Sequence, residues 1–347
     1  MLQIAKWTLP AAALLAAAGA SAGPLDKLNI RLSAANPVVQ GDASVAVDVT
    51  VTNVSGHAVK VLKWHLPEDE LHAPLFKVTK EDGSAARYVG ALVKRAAPTE
   101  ADYVRIQAGA TLTYRVELSH LYQLGNGRYS VEFIGREGRG ASEASYKTST
   151  PLMLWTSGRS AAVDTASADT EGNGTEANIS FTGGCTASEQ STLTSAVGAA
   201  TTYSTESKGY MNGTPTGSQR YVEWFGKFTQ KRWDKIEKHF NKIDAAFKTK
   251  PITLDCSCTS SAYAYVYPNQ PYKIYLCNAF WSAPMTGTDS KGGTLIHEMS
   301  HFDVVANTDD NAYGQTAARQ LAKTNPKAAT ENADSHEYFA ENNPHLP

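Results

Sequence analysis

The sequence predicts an α+β domain, mostly helical with a small sheet, over residues 179–347, preceded by an all-β, sandwich-like module over residues 23–156. Two patterns carry this. In the first part, apolar residues alternate with polar ones over short stretches that end in turn residues. In the second, long segments place apolar residues three and four apart, and short β-branched and aromatic runs follow. Between the two, residues 157–178 carry almost no large apolar side chain. Such a segment cannot bury enough surface to balance its ordering entropy, so it is expected to be a flexible linker open to an activating cut.

At 347 residues the chain has room for both parts and a leader, and 42% hydrophobic with 19% charged residues is an ordinary globular balance. A net charge of -2 gives no reason to invoke nucleic acid or an anionic membrane. Residues 1–22 read as an export signal: Lys6, the apolar run Leu9 to Ala18, then Ala20-Ser21-Ala22 as a cleavage site before Gly23. A membrane anchor needs about 20 apolar residues, and this run is shorter. The expected location is therefore extracellular, with no anchor. The leader has a bacterial look, and a virulence exoprotease is one setting it would fit.

In the first module Val45, Val47, Val49 and Val51 alternate with small or polar residues. Asn53-Val54-Ser55-Gly56 turns the chain into a Val59–Leu62 strand. Leu112–Leu118 and Tyr129–Phe133 alternate again, separated by the turn Leu124-Gly125-Asn126-Gly127. His57, His65, His72 and His120 are scattered and read as surface or packing residues, so no catalytic constellation is expected here. In the second module helices are expected over Ala187–Met211 and Tyr221–Phe247, the latter with a Tyr221, Trp224, Phe225, Phe228, Trp233, Ile236, Phe240, Ile243 stripe and a solvated basic face. Strands are expected over Ile252–Cys256, Tyr263–Tyr267 and Ile274–Cys277, with a helical C-terminus.

The main chemical signal is His297-Glu298-Met299-Ser300-His301. Residues i and i+4 share a helix face, so His297 and His301 can present imidazole nitrogens to one zinc ion. Zinc lowers the pKa of water towards neutrality, and Glu298 can take the proton as the water attacks a peptide carbonyl. Leu295, Ile296, Met299 and Phe302 can pack behind this face. A third ligand is needed. A further histidine ten residues past His301 is excluded, because Asn311 stands there. A glutamate on a later helix (Glu331, Glu337 or Glu341) would make a gluzincin-type peptidase. The segment Asn307-Thr308-Asp309-Asp310-Asn311-Ala312-Tyr313-Gly314 is the remaining option.

That segment resembles the signature of the aspzincins, the deuterolysins and peptidyl-lysine metalloendopeptidases, in which H-E-x-x-H is followed by G-T-x-D-x-x-Y-G. The resemblance implies a zincin-like domain holding one Zn2+ through His297, His301 and Asp310, with Glu298 catalytic and Tyr313 assisting the oxyanion. Asn307 stands where the family has glycine, and asparagine is the next most tolerant residue of a left-handed backbone. Cys185, Cys256, Cys258 and Cys277 fall at positions like those of the peptidyl-lysine branch, which implies the pairs Cys185–Cys256 and Cys258–Cys277. Asp334 and Glu337 match its lysine-binding acids, one helical turn apart, and imply cleavage of protein substrates on the amino side of lysine. His336 between them is expected to point elsewhere.

A β module, a linker and a motif-bearing module together resemble a zymogen whose first part inhibits the second. No lysine lies between Lys147 and Lys208. A strictly lysine-directed enzyme could not cut that linker itself, so another protease matures it or its specificity is broader. A non-catalytic secreted zinc-binding protein or adhesin is the alternative outside enzymology. Glu298 argues against it, since a binding protein needs no base beside its ligands.

Overall fold

The computed structural model describes residues 27–67, 73–135, 150–160 and 178–347. The export signal, most of the expected linker and His72 lie outside the described residues.

The first half supplies strands β1 (Leu28–Ser33), β2 (Val38–Gln40), β3 (Ala46–Asn53), β4 (Val59–Leu62), β5 (Phe76–Lys80), β6 (Leu92–Lys94), β7 (Tyr103–Ile106), β8 (Thr111–Glu117), β9 (Gly127–Phe133) and β10 (Leu152–Ser157). They form sheets ordered β1-β3-β8, β2-β10-β9-β5 and β4-β7. The valine alternation of β3 puts Val47, Val49 and Val51 inward, where they join Val61, Phe76, Val131 and Phe133 in one apolar cluster. Asn53 ends β3: its Nδ2 donates to the carbonyls of His57 (2.8 Å) and Ile106 (2.9 Å). The turn therefore feeds β4 towards β7, its antiparallel partner, rather than back along β3. His57 and His120 are exposed and His65 is half-buried.

The second half contains β11 (Ile179–Thr182), α1 (Ala187–Met211), α2 (Gln219–Phe225), α3 (Gln230–Thr249), β12 (Ile252–Asp255), β13 (Ala264–Val266), β14 (Lys273–Leu276), α4 (Asn278–Ser282), α5 (Lys291–His301), α6 (Gln315–Thr324), α7 (Pro326–Ala329) and α8 (Ala333–Glu341). Thr186 starts α1 through a capping box with Glu189. The single helix expected over Tyr221–Phe247 is two, α2 and α3. Gly226 breaks it at φ +73°, where a Cβ would lie 2.1 Å from the Ala322 carbonyl oxygen. The Thr229 hydroxyl then caps α3 by accepting from the Arg232 N–H. The apolar period runs through the break because both helices bury it in one core, with Trp224, Phe225, Trp233 and Phe240 packed beside Leu295, Met299 and Phe302.

The sheet of this half runs β11-β12-β14-β13-β6, with the first three strands parallel and β13 antiparallel to β14. Its edge strand, β6, comes from the first half of the chain and pairs antiparallel with β13. The disulfides join Cys185 to Cys256 and Cys258 to Cys277, the pairing the resemblance implied. No helix among the described residues is long and apolar enough to cross a membrane.

His239 Nδ1 and His336 Nε2 meet at 2.9 Å in this core, so His336 turns away from its neighbours Asp334 and Glu337. Burial lowers His239 to about 2 and His336 to about 4. The folded chain thus stays neutral at both where the unfolded chain, titrating near the ordinary 6.5, takes up protons. Stability is full above the unfolded value and falls as the pH drops towards the folded ones, by about 2 kcal/mol per histidine at pH 5. Thermal unfolding at pH 7 and pH 5 is expected to show a lower midpoint at pH 5, with most of the difference gone in a His239→Phe/His336→Phe protein. An equal drop in that variant would contradict the assignment.

Candidate active site

Helix α5 brings the motif together. Ser290 caps it, its hydroxyl accepting from the Gly293 N–H (2.9 Å). The same hydroxyl and the Ser290 N–H both donate to Glu341 Oε1, each at 2.8 Å. Leu295, Ile296, Met299 and Phe302 bury the back of the helix, while His297, Glu298 and His301 are themselves fully enclosed. His301 Nδ1 lies 2.9 Å from the Thr308 carbonyl oxygen. A carbonyl only accepts, so Nδ1 carries the proton and the Nε2 lone pair faces the site. His297 Nδ1 faces two carboxylates, Asp334 Oδ1 at 2.9 Å and Glu337 Oε2 at 3.3 Å, which favours the same tautomer.

The two Nε2 atoms stand 3.0 and 3.3 Å from Asp310 Oδ1. Apart from Asp310, neither Nε2 has a partner among the described residues, and neither oxygen of Glu298 has a hydrogen-bond partner among them, although all are buried. Buried polar atoms are ordinarily satisfied, and two imidazoles with a carboxylate at this spacing are a donor set suited to zinc. The glutamates weighed as a third ligand are engaged elsewhere: Glu331 with Lys235, Glu337 with Lys94, and Glu341 with Ser290. Burial raises the Glu298 carboxyl to about 7, where it can take up and return a proton near neutral pH.

The loop after α5 places Asp310. Asn307 adopts φ +50°, the left-handed conformation expected of it. The Thr308 N–H then donates to the Ser300 carbonyl (3.1 Å), while the hydroxyls of Ser300 and Thr308 meet at 2.6 Å. Asn332 clamps the far side, its Oδ1 accepting from the N–H groups of Asn311 (2.8 Å) and Ala312 (2.9 Å). Asp334 Oδ2 accepts from the Gly314 N–H at 2.6 Å. Asp334 thus touches both His297 and the loop that carries Asp310, besides facing the pocket beside them.

That pocket holds a residue the sequence did not place there. The first module was expected to inhibit the second but to hold no catalytic group, and no residue of it was named for the site; Lys94, at the end of β6, is fully buried within it. Strand pairing at the edge of β13, rather than any local pattern, carries it in. Its ammonium donates to Glu337 Oε2 at 2.5 Å, with Asp289 Oδ1 at 3.5 Å and Asp334 Oδ1 at 3.9 Å. The rings of Tyr263 and Tyr338 lie 5.1 and 5.8 Å from it. Burial alone would favour losing the proton, but Glu337, Asp334 and Asp289 outweigh it and hold the pKa well above the ordinary lysine value. Asp289 was not singled out in the sequence, and no site role was expected of Tyr263, Tyr338 or Asn332. Asn332-Ala333 directly before Asp334 was the one available hint, as the start of a helix. Tyr313 hydroxyl donates to the Val93 carbonyl at 3.0 Å.

The aspzincin family model, described as lysine-specific metallo-endopeptidase, matches residues 210–341. The chain is 44% identical over 344 residues to an extracellular protease of Aeromonas hydrophila, covering 96% of this chain and 98% of the relative. It is 35% identical over 353 residues to a peptidyl-Lys metalloendopeptidase of Armillaria mellea, covering 95% of each. A peptidyl-Lys metalloendopeptidase of Pleurotus ostreatus is 47% identical over 164 residues, which span 97% of that relative and 47% of this chain.

Proposed function

The chain belongs to the aspzincin family of zinc metalloendopeptidases, and from that premise we propose a secreted enzyme, made as a zymogen, that cuts proteins on the amino side of lysine. The observation that carries the lysine preference is a buried ammonium, that of Lys94, held by Glu337 with Asp334 and Asp289 around it. An ammonium is compact and strongly hydrated, so a dry pocket accepts one only where carboxylates replace its water.

In this reading His297, His301 and Asp310 hold the zinc. When bound, zinc acidifies water and polarises a peptide carbonyl. Glu298 takes the water proton and passes it to the leaving nitrogen. Tyr313 donates its hydroxyl to the carbonyl oxygen as negative charge builds there. Glu337 binds the substrate lysine, and Asp334 completes the pocket while orienting His297. Residues 23–156 would be the pro-domain, 157–178 the linker cut on activation, and 179–347 the peptidase. That division is supported by the two separate apolar clusters and by the fungal relative that spans only part of this chain. Export is supported by the leader and by the extracellular protease it resembles.

Glu337→Gln tests the pocket. Removing one partner of a buried charge pair typically costs about 3–5 kcal/mol, so kcat/KM for a peptide with lysine after the cut is expected to fall by about 10^2- to 10^4-fold. A peptide with leucine there should change little, and zinc content should hold. Equal loss on both peptides, or none on the lysine peptide, would remove Glu337 from specificity.

A further inference from the structure

Strand β6 lies at the edge of the active-site sheet as an added strand, a common way for a groove to bind an extended peptide. Its register pairs Lys94 with Ala264, Val93 with Tyr265 and Leu92 with Val266. The Tyr263 N–H donates to the Lys94 carbonyl at 3.0 Å and fixes the end of the strand. Around the one peptide bond between Val93 and Lys94, the contacts match those a substrate would make. Lys94 fills the carboxylate pocket. The carbonyl just before it, that of Val93, accepts from Tyr313 at 3.0 Å. The Val93 N–H donates to Asp310 Oδ2 at 3.1 Å, while the other oxygen of that carboxylate faces His297 and His301. Pocket, hydroxyl donor and metal-side carboxylate thus bracket one bond, on the amino side of a lysine.

We propose that Leu92–Lys94 is an internal substrate, and that the zinc-loaded site hydrolyses the chain's own Val93–Lys94 bond. This rests on the lysine-directed reading above. The water oxygen bonds to the Val93 carbonyl carbon as the C–N bond to Lys94 breaks. Glu298 carries one water proton to the Lys94 nitrogen, and the proton left on the new carboxyl group passes to the freed amine, leaving a Val93 carboxylate and a protonated Lys94 amine. Holding the bond in place makes the step intramolecular and independent of protein concentration. The cut supplies the self-processing that a linker without lysine cannot. It does not by itself open the cleft, because β3 with β8, β4 with β7 and β5 with β9 pair across it and keep both pieces in place.

The test uses full-length chain, purified and then loaded with zinc, as wild type, Glu298→Ala and Lys94→Ala. Samples are denatured and their termini read by mass spectrometry, with zinc content as the check on folding. An unfolded lysine-containing protein is added to a parallel set. Wild type is expected to yield a piece ending at Val93 and a piece beginning at Lys94, at a rate unchanged by dilution. Glu298→Ala and Lys94→Ala should stay joined at that bond. An intact Val93–Lys94 bond in wild type overturns the proposal if wild type, or only Lys94→Ala, cuts the added protein before lysine; in the second case the strand is an uncut plug. If the bond stays intact and no form cuts the added protein, the chain freed of its first module is given the same protein, and no cut before lysine there means that the lysine-directed reading fails instead.

Discussion

An Asp310→Ala enzyme is expected to lose stoichiometric zinc and, with it, peptide-bond hydrolysis. Asp310 Oδ1 sits 3.0 and 3.3 Å from the two imidazole nitrogens, so its removal leaves two ligands where a hydrolytic zinc site needs three. The glutamates that could substitute are tied to Lys235, Lys94 and Ser290. Metal analysis of dialysed protein, read beside activity, checks this. Retained zinc and retained activity would return the third-ligand role to one of those glutamates. Asp334→Asn should be milder. Weakening a group that orients a ligand typically costs about 10- to 100-fold in metal affinity, and His297 Nδ1 lies 2.9 Å from Asp334.

Glu298→Gln is expected to separate chemistry from metal binding. Glu298 faces the site but is not in the group of closely spaced donor atoms formed by His297, His301 and Asp310. Glutamine keeps the size of the side chain and removes the base, so zinc should bind at wild-type stoichiometry. General-base catalysis is typically worth 10^2- to 10^4-fold, and kcat should fall by about that much, with KM little changed. A Glu298→Gln enzyme that keeps its rate would mean that another group takes the proton. One that loses its zinc would mean that Glu298 holds the metal.

The parts of the site written locally in the chain were legible before the fold. His297 and His301 share a helix face by spacing alone, and Leu295, Ile296, Met299 and Phe302 mark its packed side. Asp310 was reachable only through the compound motif, since a loop has no period to read. The left-handed Asn307 that shapes this loop followed from side-chain tolerance. The break at Gly226 was missed because the aromatic stripe continues across it in the same core, and only the backbone of α6 close by explains the glycine. Lys94 was illegible for a different reason. Three residues give no strand period, and the partner that captures them, β13, lies in the other half of the sequence. Asp289, Tyr263 and Tyr338 were hidden likewise, since their meaning depends on the ammonium they surround.

The most direct measurement digests an unfolded protein with the zinc-loaded enzyme freed of its N-terminal module, with and without a chelator, and reads every new N-terminus by mass spectrometry. Cuts that vanish with the chelator and begin almost without exception at lysine are the expected result. They would place the zinc site and the Asp334–Glu337 pocket in one active centre. Chelator-sensitive cuts spread over other residues would contradict the pocket, and cuts that survive the chelator would contradict the zinc site.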